Sequence, residues 1–122
     1  MSTYEVSVGG RFTASHALPL AGGGREETHK HEWRVTATFR SSSLSGETGV
    51  VVDFVKVQAS LNAVTDQLDG RDLNSLPVLA DGPPSAERVA EYLAERLATD
   101  RLYRVSVTEA PGCSAAYYPH GP

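Results

Sequence analysis

The segment His31-Glu-Trp-Arg-Val-Thr-Ala-Thr-Phe-Arg-Ser41 decides the fold class, because apolar and polar residues alternate along it. Successive side chains of a β-strand point to opposite faces of a sheet, so the apolar residues from Trp33 to Phe39 share one face. The segment from Tyr4 to His16 alternates in the same way, and we expect a bulge at its Gly9-Gly10 pair. Both segments are therefore predicted to be long strands with one solvated face.

Two helices are predicted in the second half of the chain. Between Phe54 and Leu68, apolar residues recur every three or four positions, and Asp53 occupies the N-cap position. Ser85 is predicted to cap a second helix. Its inward residues are expected to be Val89, Tyr92, Leu93 and Leu97.

Shorter strands are predicted at 50–53, 101–109 and 115–118, and the Gly- and Pro-containing segment 69–84 is expected to be a loop. The order of elements is β, β, short β, α, α, β, β, without the pattern of parallel crossovers. This order favours an α+β fold in which helices pack on an antiparallel sheet.

The composition limits the classes of function. With 122 residues and 40% hydrophobic residues, residues 1–122 are expected to form a single domain. The net charge of −4 argues against nucleic acid as a partner, and no apolar run approaches the ~20 residues that span a membrane. The polar N-terminus has no signal-peptide pattern, so we expect a cytoplasmic protein. The single cysteine, Cys113, cannot form an internal disulfide.

Three histidines suggest a metal site. His29 and His31 are two residues apart on a predicted strand, so their side chains share a face. His16 would complete the site if the first two strands pair antiparallel. Three imidazoles and an open fourth position are typical of catalytic zinc. From spacing alone an alternative stays open, in which His29 and His31 are polar residues at a loop edge and His16 is a hydrogen-bonded core residue.

A resemblance spans nearly the whole chain. The motifs that carry it are Phe12-Thr-Ala-Ser-His16, His29-Lys-His31, Gly49-Val-Val-Val-Asp-Phe54, Leu68-Asp-Gly-Arg-Asp-Leu-Asn74, Pro84-Ser-Ala-Glu87, and Glu109 followed by Tyr117. In this order they resemble the 6-pyruvoyl-tetrahydropterin and 6-carboxy-tetrahydropterin synthase family. The resemblance implies the tunnelling fold, a four-stranded antiparallel sheet with two helices on one face that closes into a barrel in homotrimers or homohexamers. It also implies Zn²⁺ on His16, His29 and His31.

The chain departs from this family at catalytic positions. The family cysteine would lie in the segment 24–28, which contains no thiol, and Cys113 is elsewhere. Asp69 is retained, but Gly70 replaces the histidine beside it. Lys30 replaces the glycine between the two zinc histidines and is expected to point away from the metal. These departures argue against the standard synthase chemistry.

Some relatives carry a glutamate in place of the cysteine, and Glu26 and Glu27 lie in the matching segment. Either is a candidate base, and the alternative is a solvated acidic pair. Asp69 is a further candidate for the site, and the alternative is a loop ion pair with Arg71. The resemblance implies that Glu109 binds the ring of a pterin-like substrate through a bidentate pair of hydrogen bonds. The alternative for Glu109 is a solvent-facing carboxylate at a strand end.

The resemblance therefore predicts a zinc-dependent lyase or cyclase that acts on a pterin-like heterocycle, with a carboxylate base or zinc-bound water. Two alternatives stay open. One is a family member that serves another small-molecule reaction in a specialised biosynthetic pathway. The other is a non-catalytic oligomer that binds zinc or a ligand.

Overall fold

Two thirteen-residue strands, β1 (Tyr4–His16) and β2 (His29–Ser41), form the centre of the sheet in the computed structural model, which describes residues 2–122. They pair antiparallel without interruption, from Tyr4 opposite Ser41 to His16 opposite His29. The predicted bulge at Gly9-Gly10 is therefore wrong. A Cβ at Gly10 would lie 3.3 Å from Leu61, so this glycine lets a helix approach the strand closely.

The sheet has five strands in the order β3-β1-β2-β4-β5. Strands β4 (Leu102–Ala110) and β5 (Cys113–Tyr117) continue the antiparallel pairing from β2. Strand β3 (Arg71–Asp72) pairs parallel with β1 at Ala14 and Ser15. The prediction of a four-stranded, purely antiparallel sheet is thus wrong in detail, because the chain that leaves the first helix returns along the edge of β1.

The predicted strand at 50–53 is also wrong. These residues form bends and the N-terminal cap of a helix. The amide of Ser45 donates to the Val50 carbonyl, which closes a turn before the helix. Val51 is buried in the core, so its apolar character reflects packing rather than strand pairing.

Both predicted helices are confirmed with their caps. Helix α1 spans Phe54–Leu68, and the Asp53 carboxylate accepts from the amides of Val55 and Lys56. Helix α2 spans Ala86–Arg96, and the Ser85 hydroxyl accepts from the Arg88 amide. Short 3₁₀ turns, Leu73–Ser75 and Pro77–Leu79, lie between them.

One hydrophobic core joins the helices to one face of the sheet. Its largest fully buried apolar side chains are Trp33, Phe12, Phe39, Leu61, Leu68, Leu73, Leu93 and Leu102. The strand members come from alternate positions of β1 and β2, as the sequence pattern predicts. No helix within residues 2–122 is long and apolar enough to cross a membrane.

The strand pairing determines where the candidate site forms. It brings together the last residue of β1 and the first residue of β2, and the pairing of Arg34 with Thr108 carries the end of β4 to the same side. Three strand ends separated widely in sequence therefore meet at one end of the sheet.

Candidate metal centre

Four side chains meet at this end of the sheet: His16, His29, His31 and Glu109. Their potential ligand atoms all lie within 4.8 Å of one another. His16 is fully buried, whereas His29, His31 and Glu109 are partly exposed, so the cluster has one side in the core and one side open to solvent. The three histidines predicted to share a metal are thus brought together.

Backbone carbonyls orient two of the imidazoles. His16 Nδ1 lies 2.8 Å from the Pro84 carbonyl oxygen, and His29 Nδ1 lies 3.1 Å from that of Glu27. A carbonyl only accepts, so each Nδ1 donates its proton and Nε2 is the nitrogen that faces the cluster. Metal-binding histidines in proteins commonly have such an acceptor on the second ring nitrogen.

Buried core residues pack against His16. The Trp33 ring packs edge-to-face against its imidazole at a centroid distance of 4.9 Å. The Trp33 indole also donates to the Ala14 carbonyl at 3.1 Å, and the Phe12 ring stacks on Trp33. Since Phe12, Ala14 and Trp33 are buried, His16 is held by packing as well as by hydrogen bonding.

The Glu109 carboxylate faces all three imidazoles. Its Oε1 lies 2.5 Å from Nε2 of His16 and 3.5 Å from Nε2 of both His29 and His31. The resemblance implied ring binding for this residue, and the sequence did not indicate that the carboxylate would contact the histidines. The only available signal was its place at the end of a strand that pairs with β2.

This donor set fits a zinc ion. Zinc in proteins takes imidazole nitrogen and carboxylate oxygen at about 2.0–2.2 Å, in tetrahedral sets of four. Three Nε2 atoms and one carboxylate oxygen converge here, and two Nδ1 atoms are already committed to carbonyls. The cluster could therefore bind a metal ion through His16, His29, His31 and Glu109.

The structure separates the two candidate bases. Glu26 Oε1 lies 3.9 Å from His29 Nε2 and accepts from the Leu18 amide at 2.9 Å. The Glu26 amide donates to the Leu18 carbonyl in return. Two hydrogen bonds therefore hold Glu26 against Leu18, just after the end of β1. Glu27 is exposed, and only its backbone carbonyl contacts the cluster.

Asp69 lies outside the four-residue cluster. Its carboxylate accepts from the Thr13 amide at 2.8 Å, and the adjacent Gly70 amide donates to the Thr13 carbonyl at 2.6 Å. Gly70 has φ of +74°, a conformation that side-chain-bearing residues rarely adopt. The position where the family has a histidine therefore has a backbone suited to glycine.

The remaining predicted positions are peripheral. Lys30 is exposed, and the alternation of side chains along β2 places it on the face of the sheet away from the histidines. Cys113 is exposed at the start of β5 and is not one of the cluster residues.

Sequence reasoning missed the role of Asn74. Its side-chain amide accepts from the Ala17 amide at 2.7 Å and donates to the Ala17 carbonyl at 2.9 Å. Ala17 directly follows His16, so Asn74 fixes the chain where β1 ends. The residue lies within a motif of the resemblance, but spacing gave no indication of this contact.

Comparison with known proteins agrees with this fold. The model of the family described as 6-pyruvoyl tetrahydropterin synthase matches residues 5–120. No curated protein shows significant similarity to the chain.

Solved structures extend the comparison. A Caenorhabditis elegans 6-pyruvoyl tetrahydropterin synthase superposes with a TM-score of 0.84 at 21% identity, over 97% of this chain and 96% of that one. An uncharacterized Wolinella succinogenes protein gives 0.77 at 18%, over 98% and 99%. A Plasmodium vivax 6-pyruvoyltetrahydropterin synthase gives 0.75 at 18%, over 96% and 98%, and it is a catalytic residue mutant with alanine in place of glutamate. At these identities the similarity shows the fold.

Proposed function

The chain belongs to the 6-pyruvoyl tetrahydropterin synthase family, and we propose that it is a zinc-dependent lyase that acts on a pterin-like heterocycle with a glutamate as base. The convergence of three imidazoles and a carboxylate at one end of the sheet is the observation that carries this proposal. The exposed side of the cluster leaves an approach for a small molecule.

The metal would be held by Nε2 of His16, His29 and His31. Bound zinc supplies a Lewis acid that polarises oxygens of the substrate side chain and so acidifies the neighbouring C–H bonds. The protein fixes the imidazoles before the metal binds, through the carbonyls of Pro84 and Glu27 and through Trp33.

Glu26 is the base in this proposal. A general base must lie near the proton that it removes, and the Glu26 carboxylate is 3.9 Å from a zinc-ligand candidate, His29. Its bond from the Leu18 amide holds the carboxylate in place while the other oxygen stays available. The glutamate named as a catalytic residue in the Plasmodium vivax relative supports a carboxylate in this role.

Glu109 would recognise the heterocycle. A carboxylate can accept two parallel hydrogen bonds from an amidine-like N–C–N edge, which pterins carry. A cavity of about 350 Å³ adjoins Glu109 and His31, at the lower end of the usual size for small-molecule sites.

Assembly into homotrimers or homohexamers is part of the proposal. On its outer side, β1 pairs only at Ala14 and Ser15 within residues 2–122, and β5 is the opposite edge of the sheet. Unpaired strand edges favour association, and a ring of subunits removes them.

The test is turnover of reduced pterins that differ in the C6 side chain, with products identified by mass spectrometry. Glu26→Gln should reduce the rate by about 10²- to 10⁴-fold, the usual effect of removing a general base, with unchanged zinc content. Glu27→Gln is the matched control and should retain activity. Alkylation of Cys113 should also leave activity intact. Full activity of Glu26→Gln would refute this choice of base.

Two observations favour a second candidate, a different small-molecule reaction on the same site. The segment 24–28 lacks a thiol, and Gly70 has a left-handed backbone where the family has a histidine. Both changes remove parts of the standard synthase machinery. Mass spectrometry of the ligand that co-purifies with the protein separates the two candidates, since only the first predicts a pterin.

A further inference from the structure

Glu109 lies close enough to the histidines to act as a metal ligand as well as a partner of the substrate ring. Four tetrahedral ligands at zinc distances of 2.0–2.1 Å are separated from one another by about 3.3 Å. Glu109 Oε1 lies 3.5 Å from Nε2 of both His29 and His31, close to that separation, and 2.5 Å from Nε2 of His16. The 2.5 Å contact with His16 is a hydrogen-bond distance, shorter than two ligands of one zinc ion allow. Oε1 therefore lies beside the place of a fourth ligand and would move about 0.8 Å away from His16 Nε2 to take it.

We propose that Glu109 completes the metal coordination in the ligand-free protein and leaves it when an amidine-bearing heterocycle binds. The second half rests on the proposed function, which supplies the heterocycle. Recognition of an N–C–N edge needs both carboxylate oxygens directed at the two ring donors. Oε1 is directed at the imidazoles in this structure, so the two arrangements exclude each other.

The surroundings of Glu109 allow this exchange. Its side chain is 21% exposed, whereas His16 beside it is fully buried. The histidine cluster adjoins the 350 Å³ cavity, since Glu109 and His31 belong to both. Rotation of the side chain can therefore carry the carboxylate from the histidines to the cavity while the core stays packed.

The exchange couples two binding equilibria. A heterocycle that takes Glu109 away weakens metal binding, and the metal weakens heterocycle binding by the same factor. A coordination position would open only when the heterocycle is present. The chain would then expose the reactive position of its metal to the correct substrate and shield it from other ligands.

The first experiment measures zinc affinity by competition with a chromophoric chelator. Outer hydrogen-bond partners of metal ligands typically contribute 10- to 100-fold in affinity, and a direct ligand should contribute at least 10-fold. Glu109→Gln, which preserves shape, should therefore bind zinc at least 10-fold more weakly. Glu109→Asp keeps the negative charge and is the control for an effect of charge loss on folding. Glu32→Gln changes another carboxylate at the same cavity and should retain wild-type affinity.

The second experiment uses visible absorption of the Co²⁺-substituted protein during titration with unsubstituted pterin, which has no side-chain hydroxyls. The wild-type spectrum should shift toward that of Glu109→Gln, and pterin at saturation should weaken Co²⁺ affinity. Wild-type metal affinity of both Glu109 variants would overturn the ligand role. So would a Co²⁺ spectrum of ligand-free Glu109→Gln identical to that of the wild type, because an outer hydrogen-bond partner changes affinity without being a ligand. Pterin that fails to bind, or binds without a spectral change, would overturn the exchange. The proposed function fails separately, if the exchange occurs but no reduced pterin is turned over.

Discussion

Replacement of Asn74 by aspartate tests how firmly the end of β1 is held beside the candidate metal centre. The asparagine amide makes two hydrogen bonds to one residue, accepting from the Ala17 amide and donating to the Ala17 carbonyl. An aspartate can still accept from the amide. It cannot donate, and its second oxygen would face the carbonyl oxygen at the present 2.9 Å.

The expected loss of stability follows from these two contacts. One hydrogen bond worth about 1 kcal/mol is lost, and repulsion between two acceptors adds a similar amount that water partly relieves. We expect the free energy of unfolding to fall by about 1–2 kcal/mol. For a chain of this size, that corresponds to a fall in Tm of roughly 3–10 °C. Because Ala17 follows His16, zinc affinity should fall as well, by less than the roughly 10- to 100-fold that a direct hydrogen-bond partner of a ligating histidine contributes.

The measurements are urea unfolding of the zinc-free protein and chelator competition for zinc. Asn62→Asp is the matched control, because the Asn62 side chain accepts from Gln58 at 3.0 Å and a carboxylate can still do so. Its effect should stay within about 0.5 kcal/mol, as for most surface substitutions. If Asn74→Asp unfolds like the wild type, the hydrogen bond from Asn74 to the Ala17 carbonyl contributes nothing to stability. If it is destabilised but binds zinc normally, the inferred link to His16 is wrong.

Three further predictions concern metal, assembly and core. Purified protein should contain about one zinc per chain and His29→Ala should lower this occupancy, whereas zinc-free wild type would contradict the metal assignment. Light scattering should report a trimer or hexamer, and a stable monomer at micromolar concentration would contradict the proposed assembly. Leu61→Ala should lower the free energy of unfolding by about 2–5 kcal/mol in urea titrations, because Leu61 is fully buried beneath Gly10.

Local patterns predicted most of the fold. The alternation in β1 and β2 and the capped periodicity of α1 depend on neighbouring residues, so the sequence displays them directly. The errors arose where tertiary contacts decide. Strand β3 exists because the chain after α1 meets β1, and two residues are too few to produce a periodic pattern. Val51 is apolar because it packs in the core, although the segment around it is not a strand.

The candidate site was predictable only in part. The spacing of His29 and His31 on one strand gives a shared face, and antiparallel pairing then adds His16. The different positions of Glu26 and Glu27 could not be predicted from sequence, because they depend on which carboxylate meets the Leu18 amide. The contact of Glu109 with the histidines depends on the position of β4 in the sheet, which no local pattern specifies.

The contacts that hold His16 explain why this site needs nearly the whole chain. Its imidazole bonds to Pro84 before α2, its own strand is fixed through Trp33 of β2, and the following residue is fixed by Asn74 after α1. Each partner is distant in sequence and belongs to a different element, so the geometry exists only when sheet and helices are assembled. Metal binding should therefore favour the complete fold over any partly folded form, and zinc should raise Tm through the native state alone.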